Sequence, residues 1–324
     1  RARIGLPGGC NFGDRPIDQH IKGFRALGAE VEVSYDEIVA TTENGMHSGS
    51  VYFDITSVGA TINVMMAAVL AEGLTIIENA ACEPHIVDLA NFFNTCGANI
   101  SGAGTNVIKI RGVESLHGCT YEIIPDMIEA GTFMVAAAMV IDGLMINRVY
   151  RPHMKAISDL LVECGHRVEY NEDGTSVFVA PGENPRSGKI LTNPYPEYPT
   201  DMQAQMTALF ALTPGISVVK DTIFPQRFMH CSELKRMGAN IQVDDKTAII
   251  TGVDHFTGAP IQAYDLRAGA AMVIAALAAH GTSEITQVQY IERGYEDIIE
   301  KLRALGANIQ SVDEPDLDMG ANVG

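Results

Sequence analysis

Residues 6–18 read LPGGCNFGDRPID, and this run places Cys10 among Gly8, Gly9 and Gly13 with Arg15 five residues on. Backbone this rich in glycine does not form regular structure. A cation beside a thiol lowers its pKa and makes it usable as a proton donor or nucleophile. The competing reading is a turn with an incidental cysteine, since cysteine is usually a small buried hydrophobe. A second set of polar side chains sits at the starts of apolar helical runs: Thr56 and Ser57, Asp126 and Glu129, Thr200 and Asp201, Asp265 and Arg267. Ser, Thr and Asp commonly cap helix N-termini, and that role is expected for Thr56 or Ser57 and for Thr200. Equivalent helices should point the same way. Their N-termini then converge on one face, where helix dipoles and free N–H groups form an anion site.

The elements that must position these groups form a repeat. IKGFRALGAEVEV, ANFFNTCGANISG, ISDLLVECGHRVEY, CSELKRMGANIQV and IEKLRALGANIQS each read as an amphipathic helix, a glycine and a strand. Their glycines are Gly28, Gly97, Gly165, Gly238 and Gly306, spaced 69, 68, 73 and 68 residues apart. Glycine just past a helix is the expected C-cap. Interleaved with them are runs apolar nearly all round, 58–72, 129–142, 202–213 and 266–280, which predict helices buried on every side. Each leads into a strand: LTIIENA, LMINRVY, ISVVKDT or TSEITQV. One unit is therefore an outer helix, a strand pair, a buried helix and another strand, in about 70 residues.

Composition narrows the function. The chain has 324 residues, 47% of them apolar, which suits two domains or one large repeated architecture. The net charge of −18 argues against nucleic acid or an anionic membrane surface as partner. An anionic substrate would then need a local group of arginines. The six cysteines, Cys10, Cys82, Cys96, Cys119, Cys164 and Cys231, show no CxxC spacing. That pattern suits free thiols in a reducing, cytoplasmic setting rather than a disulfide framework or zinc site. No run reaches the roughly 18 apolar residues of a membrane span, and no signal peptide is evident. His20, His85, His153 and His230 have no metal-ligand spacing, so neither metal nor cofactor is expected.

LPGGCNFGDRPID, TSVGAT, ENAACEPHIVD, PDMIEAGTF, YPTDMQAQ, FPQRFMH, DLRAGAAM and ERGYEDIIEKLRALGANI together resemble the UDP-N-acetylglucosamine 1-carboxyvinyltransferase family of enolpyruvyl transferases. The resemblance covers essentially the whole chain. It implies an α/β fold of the inside-out barrel type: two domains built from repeated units with buried helices, and substrate in the cleft between. Residues 1–124 would be a partial first domain carrying the Cys10 loop, and residues 125–324 the second. The family has six units and this sequence displays five. The sixth, with a lysine–asparagine pair and an arginine of the family site, is expected upstream of Arg1 or on another fragment.

The resemblance implies transfer of enolpyruvate from phosphoenolpyruvate to the 3′-hydroxyl of UDP-N-acetylglucosamine by addition and elimination, the first committed step of peptidoglycan synthesis. Cys10 is implied as general acid, able to carry a phospholactoyl adduct and to be alkylated by fosfomycin. Asp201 is implied as the base at the sugar hydroxyl, and Arg15 and Arg293 as the phosphate and carboxylate clamp. Arg227 and Arg267 match family positions that touch ligand or hold the cleft through Asp126 or Asp265. Arg15, Pro16, Ile17, Asp18 and Gln19 resemble the uracil-binding segment. Ser57, Val58 and Gly59 resemble the backbone facing the diphosphate. Ile223 matches a position at the sugar, and Glu83 and Asp126 match acidic positions near the cleft. Three alternatives remain: a 3-phosphoshikimate 1-carboxyvinyltransferase, a truncated non-catalytic UDP-sugar-binding paralogue, and a repeat scaffold, which would expose a patterned face.

Overall fold

The computed structural model describes residues 1–5, 17–35 and 37–312. Cys10, Arg15 and Pro16, and the acidic tail from Asp313, lie outside the described residues.

The chain opens with β1 (Ala2–Gly5), α1 (Asp18–Ala26), β2 (Glu30–Val33) and β3 (Glu37–Thr41), which form an antiparallel sheet in the order β1-β3-β2. There follow β4 (Ser50–Tyr52), α2 (Val58–Ala68), β5 (Leu74–Glu78), α3 (Pro84–Thr95), β6 (Asn99–Ser101) and β7 (Val107–Arg111). Their sheet runs β4-β5-β7-β6, with β4 and β5 parallel and the rest antiparallel. An extended strap, residues 112–126, leads to α4 (Met127–Val140), β8 (Leu144–Asn147), α5 (Lys155–Glu163), β9 (Arg167–Tyr170) and β10 (Ser176–Ala180).

The next unit is β11 (Lys189–Thr192), a tight turn at Thr200–Met202, α6 (Gln203–Leu212), β12 (Ile216–Asp221), α7 (His230–Arg236), β13 (Asn240–Asp244) and β14 (Thr247–Thr251). Its sheet order, β11-β12-β14-β13, has the same pairing directions as β4-β5-β7-β6. The last unit holds β15 (Phe256–Thr257), β16 (Pro260–Gln262), α8 (Leu266–Leu277), β17 (Ala279–His280), β18 (Glu284–Thr286), α9 (Gln289–Glu292) and α10 (Ile298–Ala304). The run expected to stay helical to His280 stops at Leu277, because Ala279 and His280 pair with Phe256 and Thr257 instead.

The repeated glycines behave as their spacing predicts. Gly28, Gly97, Gly165, Gly238 and Gly306 all have φ between 86° and 98°. The N–H of the next residue reaches back to the helix each time, from Ala29 to Phe24, Ala98 to Phe93, His166 to Leu161, Ala239 to Leu234 and Ala307 to Leu302. Five copies of one Schellman stop turn the chain from outer helix into strand.

Burial of the apolar helices differs between the two halves. α4, α6 and α8 pack on one another, and every residue of α6 from Gln203 to Ala211 is buried. α2 packs against α1 and α3 and leaves Met66 (43% exposed) and Leu70 (56%) uncovered at its end. The expectation of burial on every side therefore fails for α2, which has packing neighbours on fewer sides. The two largest clusters of buried apolar residues run from Leu27 to Ile110 and from Ile128 to Ala275, with the strap between them, and smaller ones form around Ile38 and Tyr295.

Candidate functional site

Three buried helices begin at one place in the second half. Asp126 caps α4, its Oδ1 accepting from the N–H groups of Ile128 (2.7 Å) and Glu129 (3.3 Å). Asp265 caps α8 in the same way, accepting from Arg267 (2.8 Å) and Ala268 (2.9 Å). α6 is different. Asp201, in the turn before it, points its carboxylate at two guanidiniums: Arg227 Nη1 lies 2.7 Å from Oδ1 and Arg267 Nε 3.1 Å from Oδ2. Both arginine side chains are nearly enclosed, at 6% and 11% exposure, whereas Asp201 keeps 39%. Burial alone would push the Asp201 carboxyl up, but Arg227 and Arg267 together hold it below the usual aspartate range. Burial also opposes the Arg267 charge, yet Tyr295, Asp201 and Asp126 hold its pKa above the ordinary value. The result is an ionised carboxylate facing outward from two fixed cations.

Two expectations are corrected here. The guanidiniums do not pair with Asp126 or Asp265. Oδ1 of each of those carboxylates accepts from backbone N–H groups, and Asp201 takes both cations at ion-pair distance. Thr200 is not a helix cap. Its hydroxyl donates to Asp221 Oδ2 at 2.7 Å and accepts from Arg227 Nη1 at 3.1 Å. Asp221, at the end of β12, is buried and also accepts from Thr192 Oγ1 and from the N–H groups of Ile223 and Phe224. It thereby fixes the turn that carries Ile223 toward Arg227. Ser57 does cap α2, accepting from Ala60 N–H at 3.3 Å.

The supporting layer was not singled out in the sequence. Gln205, inside α6, donates to Thr132 Oγ1 on α4 and to the Asp201 carbonyl, both at 3.0 Å. Thr132 and the Tyr295 hydroxyl share a 2.9 Å hydrogen bond, and the Arg267 guanidinium lies 5.4 Å over the Tyr295 ring. Gln203 donates to the Arg227 carbonyl at 3.3 Å. The signal for this layer was two glutamines in an otherwise apolar helix, since a fully buried polar side chain must find partners. Arg293 is exposed, follows α9, and stands two residues before Tyr295. It lines a concavity of about 560 Å³ with Glu129 and Tyr295.

The remaining expected residues gather in the first half. Ile17 precedes α1, and Asp18 and Gln19 open it. Gln19 is 4% exposed, and both ends of its amide are engaged: Oε1 accepts from Asp54 N–H at 2.9 Å, and Nε2 donates to Asp18 at 2.7 Å. Lys22 binds Asp54 at 2.8 Å from the same helix. Val58 and Gly59 form the first turn of α2, and a Cβ on Gly59 would meet His20 Nε2 at 2.8 Å. Glycine is therefore needed there for His20 to approach. Glu83 precedes α3, and its Oε2 is buried with no hydrogen-bond partner among the described residues. Burial first, and then the Glu83 charge, raise the Tyr195 phenol. Among the described residues, no group of His, Cys, Asp and Glu is placed to hold a metal ion.

A partly exposed carboxylate held between two enclosed guanidiniums, where three buried helices begin, suits a substrate bearing a hydroxyl, and comparison with known proteins narrows this further. A family model described as EPSP synthase (3-phosphoshikimate 1-carboxyvinyltransferase) matches residues 1–302. The UDP-N-acetylglucosamine 1-carboxyvinyltransferase of Akkermansia muciniphila is 58% identical over 98% of this chain and 75% of its own length. The chain belongs to the UDP-N-acetylglucosamine 1-carboxyvinyltransferase family. The second enzyme of that name from Bacillus subtilis is 51% identical over 95% of this chain and 72% of its own length. Among solved structures, the enolpyruvyl transferase NikO from Streptomyces tendae superposes with a TM-score of 0.82 at 25% identity, covering 91% of this chain and 72% of that one. An EPSP synthase from Acinetobacter baumannii matches in fold, with a TM-score of 0.69 at 18% identity over 94% of this chain and 73% of that one. The enolpyruvyl transferase fold that the resemblance implied is thus the fold of this family member.

Proposed function

We propose that the chain transfers the enolpyruvyl group of phosphoenolpyruvate to the 3′-hydroxyl of UDP-N-acetylglucosamine and releases phosphate. The observation that carries this reading is the Asp201 carboxylate, held ionised by Arg227 and Arg267 and still open to solvent. An ionised carboxylate accepts a hydrogen bond from an alcohol and orients its oxygen for attack. With its pKa held down it is a weak base in the resting state. Proton uptake from the sugar becomes favourable only as positive charge develops on the attacking oxygen. Arg293, together with Arg15 outside the described residues, would bind the phosphate and carboxylate groups. Cys10 is the proton donor to the methylene carbon in this scheme. In the following elimination the proton leaves and phosphate departs.

The nucleotide end falls to the first half. The capped N-terminus of α2 at Ser57, Val58 and Gly59 suits the diphosphate, and the start of α1, from Ile17 to Gln19, the uracil. Gln19 would have to contribute through backbone, since its amide is engaged. Glu83, Asp126 and Ile223 flank the sugar. A division into domains near residues 124 and 125 is supported by the separate cores on either side of the strap. A cytoplasmic setting is supported by the five free cysteines among the described residues. Among the described residues, no helix is long and apolar enough to cross a membrane. Activity on shikimate 3-phosphate is the second reading, motivated by the description of the matching family model. Relatives at 48–58% identity carry the UDP-sugar name, which favours the first. Phosphate release with each acceptor in turn separates them.

A further inference from the structure

Cys96 follows α3 at its stop turn and is 6% exposed, while Cys119 lies in the strap and is exposed. They are 23 positions apart, yet their Sγ atoms stand 3.4 Å from each other. We propose that Cys96 and Cys119 form an oxidisable pair that closes to a disulfide and staples the strap to the end of α3. The strap is already registered for this. His117 N–H donates to the Cys96 carbonyl at 2.9 Å, and Tyr121 OH donates to Asp88 Oδ1 at 2.8 Å, so hydrogen bonds to α3 lie on both sides of Cys119. A disulfide bond is about 2.05 Å long. Closing the remaining gap asks for movement of side chains and of one short, exposed stretch of chain.

The oxidant is a small-molecule disulfide such as glutathione disulfide. The exposed Cys119, as thiolate, attacks one sulfur of the oxidant; that S–S bond breaks and one thiolate leaves. Cys96 then gives up its proton and attacks the Cys119 sulfur of the mixed disulfide. The Cys96–Cys119 bond forms, and the second small thiolate departs. Two cysteines lose two electrons, the oxidant gains them, and the two protons end on the released thiols. The strap enters the Asp126 cap of α4, so the staple ties the approach to the candidate site to the first half of the molecule. This inference does not rest on the reading of the reaction.

The test uses the intact protein treated with glutathione disulfide, thiol-blocked, and mapped by mass spectrometry without reduction. The expected result is one linked peptide pair joining Cys96 to Cys119, two hydrogens lighter than the two free peptides together, and full reversal by dithiothreitol. In Cys96→Ala the reaction should stop at a stable glutathione adduct on Cys119. In Cys119→Ser neither the link nor that adduct should form. A wild-type chain that stops at the glutathione adduct on Cys119, that stays unmodified there, or that links either residue to another cysteine or a second chain would overturn the proposal. Circular dichroism of each variant confirms that a missing link is not a missing fold.

Discussion

Replacing Asp201 by asparagine removes the negative charge between two enclosed guanidiniums and keeps the side-chain shape. Two charge-assisted hydrogen bonds, to Arg227 Nη1 and Arg267 Nε, are affected. The amide oxygen can keep one, now charged on the donor side alone, while the amide N–H₂ must turn toward the other guanidinium. Breaking a fully buried ion pair costs about 3–5 kcal/mol. Asp201 is 39% exposed, and solvent screening reduces the figure. The expected loss is about 2 kcal/mol, or a fall in Tm of roughly 4 °C for a chain of this size. Turnover should fall further, by about 10²–10³-fold in kcat, because the group that orients and deprotonates the alcohol is gone. The assay is phosphate release with saturating UDP-N-acetylglucosamine and phosphoenolpyruvate, beside a thermal melt. An Asp201→Asn protein with wild-type Tm and kcat within about twofold of wild type would refute the reasoning, since neither the clamp nor the acceptor would then matter.

His230 is fully buried, and burial, with a smaller contribution from the Arg227 charge, lowers its pKa to about 3. The folded state therefore binds fewer protons than the unfolded state between pH 6.5 and 3. The His230 contribution is complete above pH 6.5 and declines as pH falls. Urea unfolding should reveal about 2 kcal/mol lost by pH 5 from this group, and His230→Gln should lack that part of the slope. Asp201 acts in a lower window: its folded pKa is depressed, so its contribution is present above the ordinary aspartate value and lost as pH falls below it. Gly238 has φ of +98° with no atom near its missing Cβ. Gly238→Ala should thus cost about 1 kcal/mol of stability from backbone strain alone, measured by denaturant titration. Asp126→Ala should lose the α4 cap and about 1 kcal/mol in the same titration.

Much of this molecule was legible because its physics is local. Each C-cap glycine needs only its own turn, so spacing alone located all five outer-helix stops. The apolar runs located α2, α4, α6 and α8 for the same reason. What escaped the sequence was pairing at a distance. Thr200 reads as a cap because it precedes a helix, but Asp221 of β12 captures its hydroxyl across the unit. Arg227 and Arg267 have several acidic candidates, and only the convergence of α6 and α8 selects Asp201. Tyr295 and Thr132 are 163 positions apart and meet only once three units close around the core. The exposed end of α2 likewise depends on which helices pack beside it rather than on its composition.

This chain is expected to move an enolpyruvyl group onto a UDP-sugar. That transfer is tested most directly by mass spectrometry of the products after incubation with phosphoenolpyruvate and an equimolar mixture of UDP-N-acetylglucosamine and shikimate 3-phosphate. The expected products are a UDP-N-acetylglucosamine enolpyruvyl ether and an equal amount of phosphate, with shikimate 3-phosphate unchanged. Enolpyruvyl transfer to shikimate 3-phosphate, with the UDP-sugar recovered intact, would contradict this.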